Sequence, residues 1–223
     1  MLEIIVNIFQ MVLALGSFLI SYLLLKKNKS YLGNQLLALS LSLVGFYAIV
    51  LFLYKVFNDA VLMQFSIRAG FISLMFAVFF LFTTMQVIIH SSKIIRSHPV
   101  RFIIPLVVTL VISGFMIFSD WIYVENTDIS TMDYMDAIFF SFAGYIGVMI
   151  ILTMSNLYFF GIRKSPADIK RKMWFFFSGL CFMLLGLIVE GIGGIFKGFV
   201  ELFDILLFMM LSIGVLLMAK AFL

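Results

Sequence analysis

Among the ionisable side chains within long apolar stretches of this sequence, three stand out: Arg68, Glu190 and Asp204. A charge in hydrocarbon is costly, about 2.5–3.5 kcal/mol at the centre of a spanning helix, so each needs a partner or a function. One guanidinium and two carboxylates suit mutual pairing, which offsets part of the desolvation cost. A guanidinium also suits binding of an anionic group. Gln64 lies four residues before Arg68 and shares its helical face. Gly186 and Gly193 flank Glu190 at spacings of four and three, and Glu201 lies three residues before Asp204. Tyr47 and Tyr54 are seven apart, and Ser141 and Tyr145 four apart, each pair on one helical face. Arg68, Glu190, Asp204, Gln64, Tyr47 and Tyr145 are therefore the expected lining of a cavity with a few polar groups in an apolar wall, a common design for a small-ligand pocket.

The same residues also fit structural roles. Arg68 can reach outward to headgroups. Glu190 and Asp204 lie near the ends of their stretches and can be hydrated, or the three can clamp helices together without a ligand. No HExxH, nucleophile elbow or glycine-rich phosphate loop occurs. No catalytic set, cofactor or metal site is assigned. His90 and His98 read as solvated residues in or beside a loop rather than a metal site. A retinal Schiff base needs a lysine in mid-membrane, and Lys197 and Lys220 lie at the two ends of the last apolar stretch.

The elements that must position these residues follow from hydropathy. The chain is 64% hydrophobic and 12% charged over 223 residues, with a mean hydropathy of +1.21. A soluble domain carries about twice that charge. Seven apolar runs extend roughly over Ile4–Leu25, Tyr31–Tyr54, Val61–Ile89, Phe102–Ser119, Met135–Phe160, Met173–Phe196 and Val200–Phe222. Each can cross a hydrocarbon core about 30 Å thick. Continuous runs of this length are helices rather than barrel strands, which alternate over about ten residues. The expected fold is an all-α membrane protein, one bundle of seven transmembrane helices spanning 1–223.

Eleven Lys and Arg residues fall in the odd-numbered loops and two in the even-numbered ones. The positive-inside rule then puts the odd loops in the cytoplasm, the N-terminus outside and the C-terminus inside. The net charge of +4 is thus explained by the membrane and not by nucleic acid. No basic n-region precedes the first span, so no cleavable signal peptide is expected. The fourth loop, Asp120 to Tyr134, has room for structure of its own. Its Trp121, Tyr123 and Tyr134 suit the aromatic interface belt, with a lid over an outward-facing pocket as the alternative. Gly179, Gly186, Gly191, Gly193 and Gly194 in the sixth span, and Gly144 and Gly147 in the fifth, read as close helix contacts. Pro105 suits a first helical turn or a mild kink. Asn34 and Gln35 read as hydrogen-bond partners near the end of the second span. The single cysteine, Cys181, reads as a small core residue.

Three stretches carry a resemblance: KKNKSYLGNQLLALSLSLVGFYAIV, QFSIRAGFISLMFAVFFLF and IKRKMWFFFSGLCFMLLGLIVEGI. A basic first loop leads into an Asn-bearing second span, an Arg sits near the start of the third, and a basic and aromatic run opens the sixth. In this the chain resembles the seven-transmembrane N-terminal sensor region of prokaryotic histidine kinases. The resemblance implies a receptor that passes a stimulus to a cytoplasmic output. Those sensors continue into PAS or kinase domains, and this sequence shows no ATP-binding or phosphoacceptor segment.

The expected function is therefore a non-enzymatic sensor or receptor module, multi-pass in the cell membrane. Its expected partners are the lipid bilayer, a small ligand, and a cytoplasmic signalling protein or further copies of itself. A small transporter or channel is the second reading, and an assembly protein for other membrane subunits the third.

Overall fold

The computed structural model describes residues 2–54, 59–120, 122–125, 129–132, 137–195 and 200–222. Helices α1 (Leu2–Lys27), α2 (Leu32–Tyr54) and α3 (Ala60–His90) are followed by a short α4 (Lys93–Ser97) and by α5 (Val100–Phe118). Strands β1 (Ile122–Glu125) and β2 (Ile129–Met132) pair antiparallel, with Ile122 opposite Met132. Helix α6 (Ala137–Asn156) ends in a π-helical turn (Leu157–Ile162), and α7 (Ala167–Ile195) and α8 (Val200–Phe222) complete the chain. Among the described residues, seven helices are long and apolar enough to cross a membrane: α1, α2, α3, α5, α6, α7 and α8.

The packing is arranged for an apolar solvent. Val107, Val111, Phe115 and Phe118 of α5 point outward, as do Ile4, Ile8, Leu15 and Leu19 of α1. Gln10, Ser17, Ser40, Thr84, Gln86, Thr109 and Thr153 are buried instead. Lipid gains nothing from covering apolar side chains, so helices associate through close packing and interhelical hydrogen bonds. Both are present. Ser21 Oγ donates to the Ala38 carbonyl across α1 and α2 at 2.9 Å, and Ser40 Oγ to the Ala77 carbonyl across α2 and α3 at 2.7 Å. Asn34 Nδ2 donates to the Leu24 and Asn28 carbonyls at 3.3 and 3.2 Å, and Gln35 Nε2 to the Lys29 carbonyl at 2.7 Å. These amides hold the first loop, as their place in the sequence suggested.

Helix α3 is the centre of the bundle, with 72% of its spanning window buried against 22% for α5. It lies along α2 and also meets α5 and α6, while α1 lies between α2 and α8. Lys27 Nζ donates to the Phe222 carbonyl and ties the C-terminal ends of α1 and α8 together.

The most intimate pair is α7 and α8. Gly179, Gly186 and Gly193 are spaced by seven and face α8. A Cβ at Gly179 would lie 2.7 Å from the Gly214 carbonyl oxygen, and one at Gly193 would lie 2.5 Å from Phe203 Cβ. Gly191, Gly144 and Gly147 differ, since a Cβ on any of them meets nothing within 4 Å. Close packing therefore explains the heptad glycines of the sixth span but not Gly144 and Gly147. The side chain of Cys181 is half-buried rather than in the core.

Helix α7 starts at Ala167, six residues before the apolar run expected from Met173. Lys170, Arg171 and Lys172 lie in its first turns. Hydropathy marks where lipid contact begins, whereas the backbone ladder begins earlier, with the Lys170 amide donating to the Pro166 carbonyl at 2.8 Å. Pro105 sits one turn inside α5. The fourth loop holds a short β-hairpin, and the fold is a helical bundle built on the seven long apolar helices. Ile122 is buried, and β1 meets α3. Trp121, Tyr134, the side chain of Tyr123, Lys197 and Gly198 lie outside the described residues.

Candidate functional site

Helices α7 and α8 run side by side from the even-loop end of the bundle, and each carries one carboxyl group into their seam. The Glu190 side chain is hydrogen-bonded to that of Asp204. Both residues are half-buried. The tight α7–α8 crossing at Gly186 and Gly193, one turn to either side of Glu190, is what brings the two acids together.

Glu190 also lines a partly open cavity of about 250 Å³ between α2, α3, α6 and α7. Its other polar lining group is Tyr47, on α2. The remaining wall is apolar and strongly aromatic. Phe71 of α3 meets Tyr47 edge-on with ring centroids 6.1 Å apart, and Phe142 of α6 at 4.9 Å. Phe139 stands 6.5 Å from the same ring. Edge-to-face pairs in this range add about 0.5–1.5 kcal/mol each beyond area burial. Behind the wall, Phe208 of α8 lies 6.2 Å from Tyr47. Leu184, Leu187 and Gly191 of α7 close the other side.

The fold thus unites Tyr47, Glu190 and Asp204 and places the other three expected residues elsewhere. Arg68 does not join the carboxylates. Its Nη1 donates to the Ile117 carbonyl at 2.6 Å and its Nη2 to the Ser119 carbonyl at 3.0 Å. The last carbonyls of a helix lack intrahelical partners and carry the negative end of its dipole. A forked guanidinium satisfies two of them at once. Arg68 Nε is buried and has no partner. Gln64 is half-buried on the same face of α3 and does not line the cavity. Tyr145 turns towards α5, where its hydroxyl pairs with Thr109 Oγ1 and lies 3.5 Å from the Pro105 carbonyl oxygen. Ser141, expected beside Tyr145, is exposed and donates to the Ala137 carbonyl at 2.8 Å. The side chain of Tyr54 lies outside the described residues.

Phe71, Phe139 and Phe142 are aromatic lining residues that sequence reasoning missed. The spacing of Phe139 and Phe142 by three, and of Phe71 from Arg68 by three, was a usable signal. It was submerged among 28 phenylalanines.

Comparison with family models, with curated proteins and with solved structures gives no match.

Proposed function

We propose that the chain is a non-enzymatic seven-helix sensor or receptor module of the cell membrane. The positive-inside rule favours the basic odd loops in the cytoplasm, hence the N-terminus outside and the C-terminus inside. The Tyr47–Glu190 cavity then lies in the outer half of the bilayer. Its small size and mostly apolar, aromatic wall suit a small apolar molecule with one hydrogen-bonding group directed at Glu190 and Tyr47.

The observation that carries this reading is the position of the cavity between two unequal seams. On one side α7 is locked onto α8 by the glycines at 179, 186 and 193. On the other side α6 meets α7 over a much shorter stretch. A ligand that fits one spacing of α6 and α7 better than another shifts the balance between them, as it must have differential affinity to do so. The α7–α8 pair would move as a unit and carry the change to the odd-loop end, where a cytoplasmic partner would read it.

A fragment screen by thermal stability of the purified protein tests the proposal. Fragments that stabilise the wild type should lose their effect in Glu190→Gln and in Gly147→Leu, which places a side chain in the cavity. Hits that persist in both variants would remove the cavity from the binding role.

The hydrogen-bonded pair Glu190–Asp204 favours a second reading, proton-coupled transport, since intramembrane carboxyl groups often relay protons. Proton uptake into liposomes under an imposed gradient, abolished by Glu190→Gln, would favour transport over sensing.

A further inference from the structure

A second cleft, of about 480 Å³, lies at the opposite end of the bundle from the Tyr47–Glu190 cavity, between α3, α5 and α6. Its walls are largely apolar, with Phe82, Ile104, Leu152 and Phe160 among them. Ile104, Leu152 and Phe160 are exposed on the outer surface of the helices, so the cleft opens sideways towards lipid. Two features set it apart from an ordinary groove between helices. Gln86 lines it, is only 3% exposed, and its Oε1 has no hydrogen-bond partner among the described residues. A buried acceptor without a partner costs about 1–3 kcal/mol. Above Gln86, His90 and Arg101 form the mouth of the cleft. Lys164 Nζ sits 5.0 Å from the centre of the Phe160 ring, at the edge of the cleft. No described acidic side chain lines the cleft.

We propose that this cleft binds an anionic phospholipid, with its phosphate between Arg101 and His90, its ester region at the Gln86 amide and an acyl chain along Ile104, Leu152 and Phe160. A guanidinium suits a phosphate through paired hydrogen bonds. Basic pockets between spanning helices are places where anionic headgroups concentrate. Rotation of the Gln86 amide presents either its N–H donors or its acceptor to the ester and its bound water. The π-helical turn at Leu157–Ile162 directs the end of α6 past the cleft, with Phe160 on its edge. The proposal is independent of the sensor reading, because it uses none of the residues of the other cavity.

Native mass spectrometry of delipidated protein decides it. The titrants are palmitoyl-oleoyl phosphatidylglycerol, phosphatidylcholine with the same chains, and sodium phosphate. Phosphatidylglycerol should bind about tenfold tighter than phosphatidylcholine, and Arg101→Ala should remove about that factor, the worth of one charge-assisted hydrogen bond, whereas Gln86→Leu should weaken both lipids alike. Excess phosphate should not displace the lipid. Equal binding of the two lipids, or unchanged binding in Arg101→Ala, would overturn the proposal. Displacement by phosphate would also overturn it, in favour of a free-anion site. Arg101 is exposed, so its variant decides the matter even if Gln86→Leu fails to fold.

Discussion

Gly179 and Gly214 face each other across the crossing of α7 and α8 so closely that a Cβ on either would lie 2.7 or 2.9 Å from the other's carbonyl oxygen. The obstruction is backbone, which cannot swing aside. Gly179→Ala should therefore destabilise the bundle by about 1–3 kcal/mol, the usual cost of overpacking a close contact. Gly144→Ala on α6 meets nothing within 4 Å and should be neutral or stabilising by up to about 1 kcal/mol through helix propensity. Equilibrium unfolding in mixed micelles compares the two. Equal effects would mean that α7 and α8 are not locked as described.

Arg68 closes the C-terminal end of α5 rather than the carboxylate pair. Arg68→Ala leaves two terminal carbonyls without their donors and should lower stability by about 1.5–3 kcal/mol. Arg68→Lys keeps the charge but loses the fork and should recover only part of it. Neither should abolish fragment binding in the Tyr47–Glu190 cavity. Loss of binding in a variant that still folds would place Arg68 in the site after all.

The hydroxyls of Thr109 and Tyr145 join α5 to α6, the most lipid-exposed of the described spans to its neighbour. Thr109→Val and Tyr145→Phe should each destabilise by about 0.5–1.5 kcal/mol, and the double variant by scarcely more than one alone. Strictly additive losses in a double-mutant cycle would show that the pair does not form in the bilayer.

Orientation has its own test in a Cys181→Ala background. Asp59→Cys, beyond the second span, should react with a membrane-impermeant maleimide in intact cells. Lys29→Cys, in the basic first loop, should react only after permeabilisation. Both positions are exposed, so access to the reagent is set by the membrane alone. The reverse pattern would invert the bundle.

The seven spans were legible because lipid-facing helices need unbroken apolar runs, and composition records those directly. Their starts were less so. Lys170 to Lys172 interrupt the hydropathy but not the helix. Asn34 was legible as a hydrogen-bond partner because a lone amide beside an apolar run must find one. The partner of Arg68 was not, since a backbone carbonyl leaves no mark on side-chain identity. Gly144 and Gly147 show the converse limit. A small residue permits close contact, but only the arrangement of neighbours decides whether anything approaches. The meeting of Tyr47 with Glu190 depends on α2 and α7 flanking one cavity, a long-range relationship that no local spacing encodes.

The account turns on whether filling the Tyr47–Glu190 cavity moves the far end of the bundle. Spin labels at Ile103 on α5 and Lys170 on α7, both exposed near the odd-loop end, report that movement by pulsed electron resonance in a Cys181→Ala background. A fragment that stabilises the wild type should shift the distance distribution, and Gly147→Leu should abolish the shift. A distribution unchanged at saturating fragment would contradict the sensor reading.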